Sequence, residues 1–549
     1  MKPLLVELGT EELPPSCLEP GCAQLEARVR ALLADRGIGC GTAERFWTPR
    51  RLAVRFAEVA EGIPAREVEV QGPPARVAFD AEGKPTKTGV GFSRAHGRTP
   101  GDLYRRKTEK GEYAFLKKTQ PEVDTADVLR SGLTAVIGQI QFSKAMRWLD
   151  NDTRFARPIR WLVCLLGDDV VEFEFAGLVA GRETLGHRGE PGKVSLAGPG
   201  EYEQALEKAH VINGFDRRRD ALLARVTGAA NRAGGSPVPD DDLVEETVNI
   251  TEWPTPVLCR YDEGFLALPA PVLVTALKKH QRCFAVEDSS GRLLPHFIAV
   301  ADAPGCDEAA FGRWVERAVE SRLRDARFFF DADVKTGLAA LVEKEKRVSW
   351  FEGMGSLFDK TGRLRALARE LVAMVQSADA AVLDRAAELA KADLLTAMVK
   401  EKEFTSLQGR IGGVYARSQG EPEPVARAIE DQYLPASAGD LLPETVEGAL
   451  LGIADRTDNI VAAFLAGSIP TGSEDPYALR RQAAAFLTVV LELGLAVDVE
   501  RLVETALALF PDADRTNAGK LPGFFQERLE AVLGERGVRY DVAEAVLET

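Results

Sequence analysis

A chain of 549 residues exceeds the ~250–300 residues at which a single hydrophobic core stops growing, so it divides into several domains. Hydrophobic residues at 45% and charged residues at 28% are ordinary for a soluble globular protein and exclude disorder as the default state. A net charge of −15 excludes indiscriminate binding to nucleic acid, because affinity for a phosphate backbone is drawn from positive charge.

From the N-terminus, Met1-Lys2-Pro3 leads into an apolar run interrupted by Glu7, with neither a basic leader nor a small-residue cleavage site, so no signal peptide is expected. Residues 4–8 predict a strand, 25–35 a helix, and 52–56, with alternating side chains, a second strand. Residues 72–97 are dense in Gly, Pro, Lys and Thr and predict turns joining two subdomains. Residues 161–166 and 170–175 predict a hairpin about Gly167-Asp168-Asp169. A polar helix over 202–233, a loop over 234–242 and strands at 257–261 and 296–301 follow.

Beyond about residue 310, Ala, Leu, Arg and Glu recur at helical spacing, with breaks at 420–422, 442–443, 470–476 and 511–514. The fold class is therefore α+β and multidomain, a β-containing body followed by helices. The expected boundaries are a body over 1–335 with a subdomain around 64–142, a helical domain over 336–490 and a further helical segment over 491–549. No stretch of ~18 apolar residues is long enough to span a membrane.

Self-contained catalytic signatures are missing from the sequence. Gly83-Lys84-Pro85-Thr86 places a proline where a phosphate-binding loop needs a backbone N–H, and no nucleophile elbow, HExxH helix or dinucleotide fingerprint occurs. The seven cysteines, at 17, 22, 40, 164, 259, 283 and 306, contain no Cys-x-x-Cys pair and predict reduced thiols in a cytoplasmic protein. The spacing of Cys17, Cys22 and Cys40 fits no zinc pattern. All five histidines precede residue 300, so a metal centre in the helical half would need carboxylates alone. No residue is assigned to catalysis or to a metal.

Binding candidates come from positive charge. Arg45, Arg50, Arg51 and Arg55 form one cluster, and Lys144, Arg147, Arg154, Arg157 and Arg160 another, opposed by Asp150 and Asp152. In residues 154–161 arginines alternate with aromatics and suit RNA; the alternative is a core containing Phe155, Ile159 and Trp161. Lys279, His280, Gln281 and Arg282, followed by Phe284, suit phosphates and unstacked bases; the alternative is a helix end capped against a strand.

Specific words in the sequence go further. Leu4-Leu5-Val6-Glu7-Leu8-Gly9-Thr10-Glu11-Glu12-Leu13-Pro14-Pro15 closely resembles the N-terminal signature of the bacterial glycyl-tRNA synthetase β subunit. The resemblance continues, in order, at 48–52, 144–148, 157–161, 186–188, 252–254, 280–281, 322–326, 391–399, 407–409 and 472–481. It implies an α2β2 assembly in which the α subunit holds a class II site, uses ATP with Mg as substrates and transfers glycine to the tRNA 3′ end. This chain would then carry no cofactor, bind tRNA(Gly) and support α. On that reading the tRNA candidates are Arg50, Arg51, Arg147, Arg157, Arg160, His280, Gln281 and Arg282, and the α-contact candidates are Glu11, Glu12, Trp148 and Trp161.

The family likeness also implies a helical region similar to HD-type metal phosphohydrolases over about 340–490. Ala392-Asp393 stands where an active member needs His-Asp, so Asp393 and Asp455 are read as hydrogen-bonding residues. Residues 400–404 are longer than the family's usual spacing, and family members continue past Thr549 into an anticodon-binding domain of which 524–547 resembles only the opening helices. The chain is thus expected to lack most of that domain. Two other classes stand as alternatives: an active HD-type metal phosphohydrolase and a free-standing RNA-binding protein.

Overall fold

The structure is a computed structural model describing residues 1–148, 153–190, 192–472 and 474–547; the side chains of residues 280, 546 and 547 lie outside that description. The chain folds into two compact units, the first of residues 1–229, 239–257 and 300–308, the second of 230–238, 258–299 and 309–549.

The first unit is built on a five-stranded antiparallel sheet in the order Asp169–Val170, Ile159–Leu166, Lys2–Thr10, Arg51–Val59, Ala43–Thr48. Its central strand is buried on both faces, which is why residues 4–8 are apolar except for Glu7. Because side chains alternate, Leu4, Val6 and Leu8 join one core with the helices Pro15–Asp35 and Thr125–Gly138, while Leu5 joins another with Phe46, Trp161, Val163 and Tyr202. Glu7 lies on the second face and is fully buried there.

Several elements differ from their sequence expectation for local reasons. The first helix starts at Pro15 instead of 25, since proline in the first turn forgoes a hydrogen bond that has no acceptor there. The hairpin turn at Gly167 forms, with φ of 60°, but its second strand is only Asp169–Val170. The long polar helix is split into Tyr202–Lys208 and Phe215–Arg232, with His210 at φ 57° in the break. The acidic triplet expected as loop opens the helix Asp241–Ile250: the Asp240 side chain accepts from Leu243 N, and Asp241 and Asp242 occupy the first turn, where negative charge is favoured.

Residues 66–120 form a separate three-stranded sheet, Arg66–Pro74, Gly111–Gln120 and Tyr104–Thr108, with the helices Ala75–Ala78 and Lys87–Ala95. It has a small core of Ala75, Ala78, Phe79, Leu103, Ala114 and Leu116. The stretch expected to be turns thus holds two short helices that packing, not propensity, stabilises.

A four-stranded sheet runs in the order Ser236–Pro237, Phe284–Glu287, Leu293–Asp302, Pro254–Arg260. Beyond it the described chain is helical, as the Ala- and Leu-rich texture predicts, and the four expected breaks all fall between helices. The helix Val446–Leu465 is buried on nearly every side and forms the centre of the second unit. The helix Glu308–Thr336, expected within the body over 1–335, lies in that unit from residue 309 onward. The reason is Asp333, whose buried carboxylate accepts from Ala397 N at 2.7 Å, Met398 N at 2.9 Å and Tyr415 Oη at 3.0 Å. No helix among the described residues is long and apolar enough to cross a membrane.

Candidate functional site

In the first unit, five of the family-like sequence blocks meet around one buried ion network. Trp161 stands opposite Gly9 across the sheet and lays its indole over it; a Cβ at Gly9 would meet Trp161 Cε2 at 1.8 Å, so only glycine fits. From there Trp161 Nε1 donates to Glu7 Oε1 at 2.8 Å, and Thr184 Oγ1 donates to the same oxygen at 2.7 Å. Arg51, fully buried on the same sheet face, lies 3.6 Å from Glu7 Oε1 and donates to Glu252 Oε1 through Nε and Nη2, each at 3.2 Å. Thr48 Oγ1 adds a 2.6 Å bond to Glu252. The field of Glu252 and Glu7 outweighs the desolvation of Arg51 and raises its pKa, holding it charged.

The network extends to Asp302, whose Oδ1 accepts from Glu252 N and Trp253 N at 2.8 Å each and lies 3.2 Å from buried His187 Nε2. Burial opposes ionisation of Asp302, but these interactions prevail and lower its pKa. Residues 4–15, 48–52, 157–161, 186–188 and 252–254 are thereby fastened together.

Four exposed or half-buried side chains line the edge of this network. Arg160 Nε is 3.3 Å from Glu11 Oε1, Arg188 Nη2 donates to Glu11 Oε2 at 3.0 Å, and Arg188 also pairs with Glu12. The backbone supports them, with Glu11 N donating to Pro158 O at 2.9 Å and Leu13 N to Pro49 O at 2.7 Å. Arg157 is exposed and donates to Ala156 O at 2.8 Å.

The remaining candidates divide by burial. Arg51 and Trp161 are interior residues, so their expected roles as RNA and α contacts are corrected to structural ones: neither presents its polar atoms to solvent, because Glu7 and Glu252 hold them. Arg50 is mostly covered, with a side chain 13% exposed, donating to Gly186 O at 3.3 Å and pairing with Glu252 at 3.4 Å. Arg147 is exposed on a two-residue strand opposite Arg154. Trp148 is half-buried against the first core, and Asp150 and Asp152 lie outside the described residues. Phe155, Ile159 and Trp161 are all core, as the structural alternative had it.

Gln281 and Arg282 belong to the second unit, and the side chain of His280 lies outside the described residues. Gln281 ends the helix Ala270–Gln281, and Arg282 is its left-handed cap with φ of 50°, leading into the strand Phe284–Glu287. This is the helix-end alternative for that segment.

The second unit has a buried network that sequence reading did not assemble. Asp455 lies between two lysines, its Oδ1 2.8 Å from Lys360 Nζ and its Oδ2 2.9 Å from Lys391 Nζ. Lys360 also meets Asp458 and Asn459, each at 2.9 Å; Lys391 donates to Gln432 Oε1 at 2.8 Å and Tyr433 Oη at 2.9 Å. Burial opposes the charge on Asp455, yet the two ammonium groups lower its pKa. Asp393, fully buried, accepts from Gly409 N at 2.6 Å and has no hydrogen-bond partner at Oδ1; burial raises its pKa to about 6. Burial likewise raises that of Glu345 to about 7. Gly409 has φ of 81°, and a Cβ there would strike the Tyr433 ring.

A signal for Lys360 was present in the sequence. Leu357, Lys360, Leu364, Leu367 and Leu371 recur at spacings of three and four, so the lysine stands in the apolar stripe of its helix. Among the described residues no three His, Cys, Asp or Glu side chains form a group placed to hold a metal, and all seven cysteines are free.

A family model described as the glycyl-tRNA synthetase beta subunit matches residues 4–548. The chain is 43% identical to the glycine-tRNA ligase beta subunit of Myxococcus xanthus, over 99% of this chain and 78% of that protein. Proteins of the same name from Desulfitobacterium hafniense and Bacillus subtilis are 39% and 38% identical, over the full length of this chain and 80% and 79% of theirs. These similarities, with the blocks now joined in space, define a subunit of an aminoacyl-tRNA ligase. The chain belongs to the glycyl-tRNA synthetase beta subunit family. They support that reading and not the phosphohydrolase or the free-standing RNA-binding protein.

Proposed function

We propose that this chain is the tRNA-handling partner of a catalytic α subunit in an α2β2 glycine-tRNA ligase of the cytoplasm. The carrying observation is the convergence of five family-like sequence blocks on one ion network whose edge presents Arg160 and Arg188, pinned by Glu11. A guanidinium on a held backbone loses less ordering entropy when it grips phosphate, and the Glu7–Arg51–Glu252 network holds this backbone. Arg157, Arg160 and Arg147, with Arg188 beside Arg160, are the tRNA contacts on this reading, Glu11 and Glu12 the α contacts. ATP and Mg serve the α subunit as substrates, and this chain supplies no cofactor. The helices over 340–490 we read as HD-like; Asp393 and Asp455 there are held by a backbone N–H and by two lysines.

Reconstitution tests the proposal. Purified chain, purified α and their mixture are assayed for glycine-dependent ATP–pyrophosphate exchange and for glycylation of tRNA(Gly). The expected result is glycylation by the mixture and no exchange by this chain alone. Exchange by the isolated chain at an ordinary synthetase rate would overturn the assignment.

A further inference from the structure

Charge is distributed unevenly along this acidic chain. Residues 66–120 contain twelve Lys and Arg against seven Asp and Glu, a net of +5, which leaves −20 on all other residues. Every one of these twelve side chains is exposed except half-buried Arg98. Three of them pair with carboxylates, Lys84 with Glu82, Arg106 with Glu69 and Lys117 with Glu67; the other nine make no ion pair among the described residues.

The three-stranded sheet sorts these charges by face. On the face away from the helices, Lys117 is balanced by Glu67 on the neighbouring strand, and Arg106 by Glu69 on the far outer strand, across the middle one. On the helix-bearing face, Arg105 stands opposite core Ala114, Lys107 follows two residues along opposite Glu112, and Lys118 lies on the middle strand two residues past core Leu116. Arg105 stacks on Phe79, 4.9 Å from the ring centre, and its Nη2 lies 3.9 Å from the Cβ position of Gly83, beside Lys84. Lys87 opens the helix that follows. The charge left over once the other face is paired therefore lies on this face, in Arg105 and Lys118, which make no ion pair among the described residues, and in Lys107, which faces Glu112.

We propose that this basic face of residues 66–120 is a docking surface for the phosphate backbone of the substrate tRNA. The inference rests on the reading that this chain handles tRNA. A polyanion fits better than a protein partner, because the only exposed large apolar residue in the segment is Val77, and protein interfaces have apolar centres depleted of lysine. The −20 remainder repels RNA elsewhere and confines it to the few basic surfaces.

The test uses full-length chain assembled with α. Affinity for tRNA(Gly) is measured against salt for the wild type, for Lys107→Gln with Lys118→Gln, and for Arg105→Gln with Lys107→Gln. Each phosphate that is no longer neutralised lowers the slope of log K on log salt by about 0.7–0.9, so a pair lowers it by roughly 1.4–1.8. Melting curves check folding, and the first pair, whose side chains make no hydrogen bond or ion pair among the described residues, guards against a misfolded Arg105 variant. Wild-type affinity and slope in both pairs would overturn the inference. If only Arg157 or Arg160 variants lose affinity, the tRNA reading stands and this surface does not. Loss of α co-elution with an unchanged RNA slope would assign the face to a protein contact and also overturn it; a wild-type complex without tRNA affinity would sink both readings.

Discussion

In the first unit one guanidinium serves two carboxylates, Arg51 between Glu7 and Glu252; in the second, one carboxylate serves two ammonium groups, Asp455 between Lys360 and Lys391. All of these side chains are buried, so each network exchanges hydration for interactions inside the protein. What differs is the group that is shared. Loss of the shared group leaves Glu7 without a cation in the first network and Lys391 without a carboxylate in the second, whereas loss of a peripheral one leaves the shared group with a partner. The first unit has concentrated that dependence on Arg51, which also fixes the turn carrying Arg50 and the segment carrying Glu11.

The largest expected effect follows from that dependence. Arg51→Met removes the shared cation, leaves Glu7 without a cation and Glu252 with only Arg50 at 3.4 Å, and costs about 3–5 kcal/mol, the range for breaking a buried pair. Denaturant melts of the isolated chain measure it. A loss below about 1 kcal/mol would break the comparison at its strongest point.

A smaller effect depends on pH. Asp393 ionises near 3.8 unfolded, and burial raises this to about 6 in the fold. The stabilisation from its protonated form is complete below about pH 4 and disappears as pH rises through about 6. Asp393→Asn cannot ionise, so it should gain on the wild type by up to about 3 kcal/mol between pH 4 and pH 7. Parallel stability–pH curves for the two proteins would contradict this.

Lys391→Met should cost least, about 1–2 kcal/mol, because Asp455 retains Lys360 at 2.8 Å while Gln432 and Tyr433 lose one partner. A cost equal to that of Arg51→Met would show that sharing does not decide the outcome.

The sequence disclosed elements better than partnerships. Residues 4–8 predicted the central strand, but the alternation that puts Glu7 inward acquires meaning only when Arg51 and Glu252, distant in sequence, arrive on the same face. Arg50 and Arg51 look equivalent as a basic pair. The strand Arg51–Val59 begins between them, which sends Arg51 into the core and leaves Arg50 in the turn. Trp161 looked like an RNA-stacking residue because an aromatic beside arginines is ambiguous until burial is known; its place opposite Gly9 resolves it. Asp455 was legible as a hydrogen-bonding residue and Lys360 as a lysine in an apolar stripe, but nothing local announced that Lys360 and Lys391 would share that carboxylate.

The central claim is that the buried network holds its edge arginines for tRNA. It is tested most directly by titrating tRNA(Gly) against the α–β complex, at several salt concentrations, with Arg157→Glu and Arg160→Glu. Both residues are exposed, so the fold should lose no more than about 1 kcal/mol. The account predicts weaker binding, with the salt slope lowered by about 0.7–0.9 for each phosphate that the variant can no longer neutralise. A folded double variant with wild-type affinity and slope would contradict it.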